Sequence, residues 1–192
     1  MASSYVENMG GGKFQLRILP TSVQIGPVNG MVSEDVNGDG NLDIVMIGND
    51  YGNEVFAGRY DGFTGLVLSG DGKGFFEVIP SAKSGFYVSG DAKALAKIST
   101  KNKELLIATQ NKDSLKVFAR SSFESSEIFI PQILDSWAEF IYSNGDKQRI
   151  EFYYGNGYLS QSSRRLIIPK NVKEVLVYDY KGISRSVSNR NQ

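Results

Sequence analysis

Nine consecutive residues carry the clearest chemistry in the chain. Asp35-Val36-Asn37-Gly38-Asp39-Gly40-Asn41-Leu42-Asp43 puts an oxygen-bearing side chain at positions one, three, five, seven and nine of a short stretch. Calcium takes roughly six to eight hard oxygen ligands at about 2.3–2.6 Å. A loop that offers an oxygen at every second residue can wrap such an ion. Gly38 and Gly40 let its backbone turn with positive φ. Side-chain oxygens are expected from Asp35, Asn37, Asp39 and Asp43, and a backbone carbonyl from Asn41. The three carboxylates repel one another unless a cation lies between them. An EF-hand would need a bidentate Glu at position twelve; Met46 stands there, and the apolar run Leu42–Ile47 reads as a strand. Magnesium suits the loop less well, because it demands stricter octahedral geometry and keeps more of its waters. The competing reading is an ion-free turn, since Asn, Asp and Gly favour turns on their own account.

Other chemistries are narrower. The chain has no His and no Cys, which excludes Ser-His-Asp and Cys-His nucleophiles, His- or Cys-ligated metals, and disulfides. Glu139 and Glu151 are the one carboxylate pair that a hairpin could bring together for glycosidase work, but cross-strand glutamates are normally solvated. No catalytic site is expected. Tyr153, Tyr154 and Tyr158, with Asn156 and Gln161 nearby, are a candidate ligand site for stacking on a sugar ring; the other reading makes them core and rim residues of a strand and turn. Lys147, Arg149, Arg164, Arg165 and Lys170 offer a basic set, diluted by interspersed acids, and Arg164-Arg165 can instead pair locally. Lys+Arg and Asp+Glu are 21 each, so the basic field of a nucleic-acid binder is missing. Residues 1–100 carry a net −4 and residues 101–192 a net +4; acids gathered round a cation site account for the first half. Trp137, the single tryptophan, is expected to anchor a core.

The elements that must position these residues are short and β-like. There are 21 Gly among 192 residues, and Val, Ile and Tyr are frequent, which marks a turn-rich β protein. Three echoes recur in order: Gly11–Pro20 as Asp71–Pro80, Val32–Asp35 as Val88–Asp91, and Asn53–Phe56 as Leu115–Phe118. They suggest two copies of a repeat about 60 residues long, each with four short strands. Strands are expected at Ser4–Glu7, Phe14–Leu19, Asn29–Val32 and Leu42–Ile47, then at Thr64–Leu68, Phe75–Ile79, Gly85–Val88 and Leu105–Ala108. Ala92–Ile98 mixes alanines and lysines and reads as strand or irregular. In the second copy Asp91 aligns with Asp35, but Lys93, Leu95 and Lys97 follow at the alternate positions, so one calcium is expected, in the first copy only. The expected organisation is a blade-like repeat at 1–57, a second at 58–120, and a small β module at 121–192 after the serine-rich joint 121–126. That module starts with a hairpin, Ala138–Ser143 and Gln148–Tyr154, across Asn144-Gly145-Asp146. Strands at Arg165–Pro169 and Val172–Tyr180 follow, before a frayed end at 188–192. No signal peptide and no membrane-spanning run is visible.

Asp35–Asp43 followed by Ile44-Val45-Met46-Ile47-Gly48 resembles the FG-GAP/VCBS repeat, the blade of integrin-α-like propellers. Gly70-Asp71-Gly72-Lys73-Gly74-Phe75 is similar to the glycine-rich turn before a later strand of such blades. The likeness covers residues 4–119 and is to the broader VCBS type, because the Phe-Gly and Gly-Ala-Pro signatures are missing. Residues 147–187, with Tyr153-Tyr154-Gly155-Asn156-Gly157-Tyr158, resemble the ASPIC/UnbV module that follows such repeats in secreted or surface proteins of bacteria, commonly Bacteroidetes. The resemblance implies an all-β fold of two propeller-type four-stranded blades and a small β module. It also implies a non-enzymatic calcium-binding binding or scaffold module in an extracellular, surface or periplasmic setting. Protein or glycan partners are implied, without nucleic acid or membrane insertion. A closed propeller has at least about four blades, so the two repeats are expected either to belong to a longer propeller or to associate with other copies through open blade edges.

Overall fold

Short apolar runs bounded by Gly, Asn, Asp and Pro form antiparallel strands throughout, and the chain is all-β as expected. The computed structural model describes residues 2–100, 103–119 and 127–189. β1 (Ser4–Gly10) and β2 (Lys13–Ile18) make a hairpin. Pro20 then opens a 3-10 turn, Thr21–Val23. β3 (Val28–Glu34), β4 (Asp43–Gly48), β5 (Leu66–Gly70) and β6 (Phe76–Ile79) form a four-stranded meander in sequence order. Pro80 opens one helical turn, α1 (Ser81–Ser84). β7 (Ala92–Ser99), β8 (Glu104–Gln110) and β9 (Lys116–Ala119) form a three-stranded sheet among the described residues. β10 (Glu127–Phe129), β11 (Asp135–Tyr142), β12 (Lys147–Glu151), β13 (Leu166–Ile168), β14 (Val172–Asp179) and β15 (Ser184–Asn189) complete the chain. β10 pairs with β13, and the other four form a sheet of order β12-β11-β14-β15.

The sheets are out of phase with the repeat expected from sequence. The boundary between residues 57 and 58 falls inside the β3–β6 sheet, where Ile44 of β4 pairs with Leu68 of β5. The first echo is structural: β2, Pro20 and a 3-10 turn match β6, Pro80 and α1. The second is not. Asp91 accepts the Asn111 N–H at 2.8 Å just before β7, as Pro27 accepts the Asn49 N–H at 3.2 Å just before β3. Asp91 therefore matches Pro27, whereas Asp35 follows β3. The third echo sets an exposed turn, with Phe56 fully exposed, against Leu115 and the first three residues of β9. The recurring unit is a hairpin, a Pro, a helical turn and two more strands. The expected joint, with the boundary at residue 120, lies outside the described residues.

Local differences have physical causes. Ala92–Ser99 is a strand because its small residues pack where β3 and β7 come close: a Cβ on Gly30 would lie 2.8 Å from the Leu95 nitrogen. Gly85–Val88 forms no strand; Phe86 and Val88 are buried, and Val88 donates a single bond to the Thr64 carbonyl. Short β9 and β10 and the polar β15 were not among the expected strands.

Three sheets stack face to face. Call the side of each sheet towards the N-terminal neighbour its near face. The near face of β3–β6 (Met46, Leu66, Leu68, Phe76, Val78) buries against Tyr5 and Leu19 at the β1–β2 hairpin, together with Val23 and Phe63. Its far face (Val32, Val45, Ile47, Val67, Ile79) buries against Leu95, Leu106, Ala108 and Phe118 of β7–β9. The C-terminal strands have a separate core of Ala138, Phe140, Phe152, Leu166, Ile168, Val172, Val175 and Val177. Trp137 is outside it, contrary to the anchor expected. It lies on the sheet's other face, stacked 3.6 Å from Tyr178 with Arg149 4.1 Å above its ring. The two parts meet where Ser162 and Ser163 run along the edge of β7.

Candidate functional site

Residues 35–42 connect two adjacent antiparallel strands, β3 and β4, with Asp43 opening β4. No helix flanks them, which keeps the EF-hand excluded. Gly38 and Gly40 adopt φ of 84° and 90°, a region that Cβ-bearing residues rarely enter. Those two turns fold the alternate side chains back onto the loop. The Asp35 carboxylate accepts N–H bonds from Gly38 at 2.6 Å and Gly40 at 2.9 Å. Asp39 accepts the Asn41 N–H at 2.7 Å and the Asn37 carboxamide at 3.0 Å. Asn37 accepts the Asp39 N–H at 2.8 Å and donates to the Ser69 hydroxyl at 3.1 Å. Asp43 is fully buried; it accepts from Val36 and Asn37, and at 2.9 Å from Gly70 at the end of β5.

Asp35, Asn37, Asp39, Asn41 and Asp43 thus share one loop, held by bonds to its own amides rather than drawn to a common centre. Among the described residues no group of three or more acidic side chains is gathered as a metal cluster. No Lys or Arg bridges Asp35, Asp39 or Asp43 among those residues either. Chemically the donor set suits a hard cation: three carboxylates and the carboxamide and carbonyl oxygens of Asn37 and Asn41. Each carboxylate oxygen of Asp35 and Asp39, and Oδ1 of Asp43, accepts one N–H and keeps a further lone pair, whereas Asp43 Oδ2 accepts two.

The other expected residues are separated. Tyr153, Tyr154 and Tyr158 are all exposed, but they form no single platform. Tyr154 has Arg164 3.9 Å above its ring and donates to the Ile133 carbonyl. Tyr153, Asn156 and Gln161 border a cleft of about 1,090 Å³ whose lining also includes Asp35 and Asp39, while Tyr158 lies outside its lining. Tyr142 borders the same cleft; burial and the Asp35 charge both push its phenol above the usual value. Glu139 and Glu151 are not directly opposite across the hairpin: Glu139 pairs with Arg149 and Glu151 with Trp137. Each has its own cation, Lys147 at 3.1 Å and Arg149 at 2.6 Å.

Three polar clusters have no counterpart in the sequence reading. Lys97 bridges Glu34 at 3.0 Å and Glu104 at 3.5 Å where β3, β7 and β8 meet. Burial lowers the affinity of its amine for the proton, but the two carboxylates outweigh that and raise it above the ordinary value. Buried Asn49 holds the Phe63 N–H and C=O at 2.9 and 2.6 Å and reaches the Ser89 and Gly90 carbonyls. Asp135 is clamped by Arg185. A charge inside an apolar strand, as Lys97 is in Ala92–Ser99, was the one available sequence signal.

No family model matches the chain, and no curated protein matches it.

Proposed function

We propose that this chain is a non-enzymatic, calcium-braced, propeller-type repeat protein that works as a binding or scaffold module in an extracellular or surface setting. The observation that carries the reading is the Asp35–Asp43 loop: alternate oxygen donors between two antiparallel strands, with three carboxylates and no bridging cation among the described residues. Calcium would draw Asp35, Asn37, Asp39, the Asn41 carbonyl and Asp43 together and relieve the repulsion among them. The meander β3–β6 and its face-to-face packing on β7–β9 support the resemblance to FG-GAP/VCBS blades. The likeness to the ASPIC/UnbV module rests on residues 147–187 alone. Among the described residues no helix is long and apolar enough to cross a membrane; the surface setting is part of the proposal.

Thermal unfolding with and without calcium tests the brace. Sites of extracellular modules bind at about 10⁻⁴–10⁻³ M. About 10 mM calcium should then add about 1.4–2.7 kcal/mol by linkage and raise Tm by about 3–11 °C. Asp39 is exposed and its bonds are local to the loop, so Asp39→Ala should fold yet lose the shift. A Tm indifferent to calcium and to chelator, or a shift that survives in Asp39→Ala, would overturn the site.

The cleft bordered by Tyr153, Asn156, Gln161 and the cation loop favours a second reading, in which the module binds glycans across that cleft. A glycan array probed with folded, calcium-loaded protein separates the two. Selective binding that Tyr153→Ala abolishes supports the glycan reading, and an empty array supports the scaffold.

A further inference from the structure

The stack of sheets is open at both ends, and the two open faces match. β1 and β2 pair Val6 with Leu16 and Asn8 with Phe14, so Val6, Phe14, Leu16 and Ile18 project from one side of the hairpin. That side is its near face, since Tyr5 and Arg17 point the other way, onto Phe76 and Phe75. The four apolar residues are 55–73% exposed. At the other end, Ile98 pairs with Leu105, and Ile107 with Val117, on the side of β7–β9 turned away from Leu95, Leu106 and Phe118. Ile98 and Val117 there are 39% and 52% exposed. Nothing covers either face among the described residues.

The chain itself shows what fits such faces. The β5–β6 hairpin corresponds to β1–β2 through the shared step from the second strand to Pro and a helical turn. Its near face includes Phe76 and Val78, the counterparts of Leu16 and Ile18, together with Leu68, and it is covered by the preceding sheet. A near face meeting a far face is thus the contact already made twice within the stack.

We propose that the near face of β1–β2 in one copy packs on the far face of β7–β9 in another, so that copies assemble head to tail through sheet faces. The interface is heterologous, with two different patches meeting, and extends to rings or filaments rather than stopping at a two-fold dimer. It differs from pairing at strand edges, and it does not depend on the cation loop.

Sedimentation velocity on the whole chain from about 5 to 500 µM, a range spanning micromolar to submillimolar affinities, reads the assembly with and without chelator. The wild type should gain mass with concentration in both conditions. Leu16→Glu and Val117→Glu put a charge on exposed positions at opposite ends and should each be monomeric, with circular dichroism unchanged. Mixed together they should form a one-to-one dimer and nothing larger, because each retains the end that the other has lost. A wild type that stays monomeric throughout would overturn the proposal. So would association lost in Leu16→Glu but kept in Val117→Glu, which marks a two-fold contact, or a mixture that fails to pair.

Discussion

Asp135 is 3% exposed and is met by Arg185 on both oxygens, at 2.7 and 2.6 Å, with a third bond from the Gln132 N–H at 2.7 Å. Burial alone would push its carboxyl up; the Arg185 and Gln132 bonds and the nearby charges of Arg185 and Arg164 outweigh that and hold it below the ordinary value. A carboxyl whose folded value lies below its unfolded value contributes stability above the unfolded value, about 3.9, and loses it as pH falls through the folded one. Arg185→Met should therefore destabilise the chain by about 2–3 kcal/mol at neutral pH, the low side for a broken buried pair because the guanidinium is partly solvated. The deficit should shrink below about pH 4, where the wild type sheds the same contribution. Urea unfolding at pH 7 and pH 3 checks this, and a deficit constant with pH would refute it. None of it was legible in the sequence, because the partners are 50 residues apart. The loop at 35–43 was legible as a turn between two strands because its residues are adjacent and their spacing is itself the signal. What the spacing could not show is that Asp43 also ties the loop to Gly70, 27 residues on.

Strands β3 and β7 approach so closely that Gly30 has no room for a side chain; an added Cβ would lie 2.8 Å from the Leu95 nitrogen and 3.0 Å from the Ile47 side chain. Gly30→Ala should push the two sheets apart at a cost of about 1–3 kcal/mol, which lowers Tm by roughly 2–12 °C. Gly62→Ala, where the new Cβ comes no nearer than 3.7 Å to the Ile25 carbonyl, should change Tm little. Equal effects at both positions would mean that close packing is not what Gly30 provides. The same contact explains where element-level reading held and where it slipped. Apolar alternation located most strands within a residue or two, because a strand's buried face is a local pattern. Grouping strands into sheets is not local. The repeat echoes located equivalent residues at Pro20 and Pro80, but a motif shared by two hairpins does not say whether a sheet begins before it or after it. The hydrogen bonds put the break after β2 and after β6, two strands away from the expected boundary.

At the scale of the whole molecule, two bodies with separate cores are coupled through one strand edge. Lys97 N–H donates to the Ser162 hydroxyl at 3.0 Å, Ser163 N–H to the Lys97 carbonyl at 2.8 Å, and Ser99 N–H to the Ser163 hydroxyl at 3.2 Å. These bonds close the outer edge of β7, whose open amides would otherwise face solvent or another chain. Removing both hydroxyls in Ser162→Ala/Ser163→Ala strips two of the three bonds, at about 1 kcal/mol each, without touching either core. Trp137 makes the consequence separable. It is the only tryptophan and sits on the β11–β14 face, so its fluorescence follows the C-terminal body alone, whereas circular dichroism follows all the strands. In the wild type the two signals should unfold together, as one cooperative unit. In the double variant the fluorescence midpoint should part from the dichroism midpoint, because each core then melts at its own stability. Midpoints that still coincide would show that these two hydroxyl bonds are not what couples the bodies.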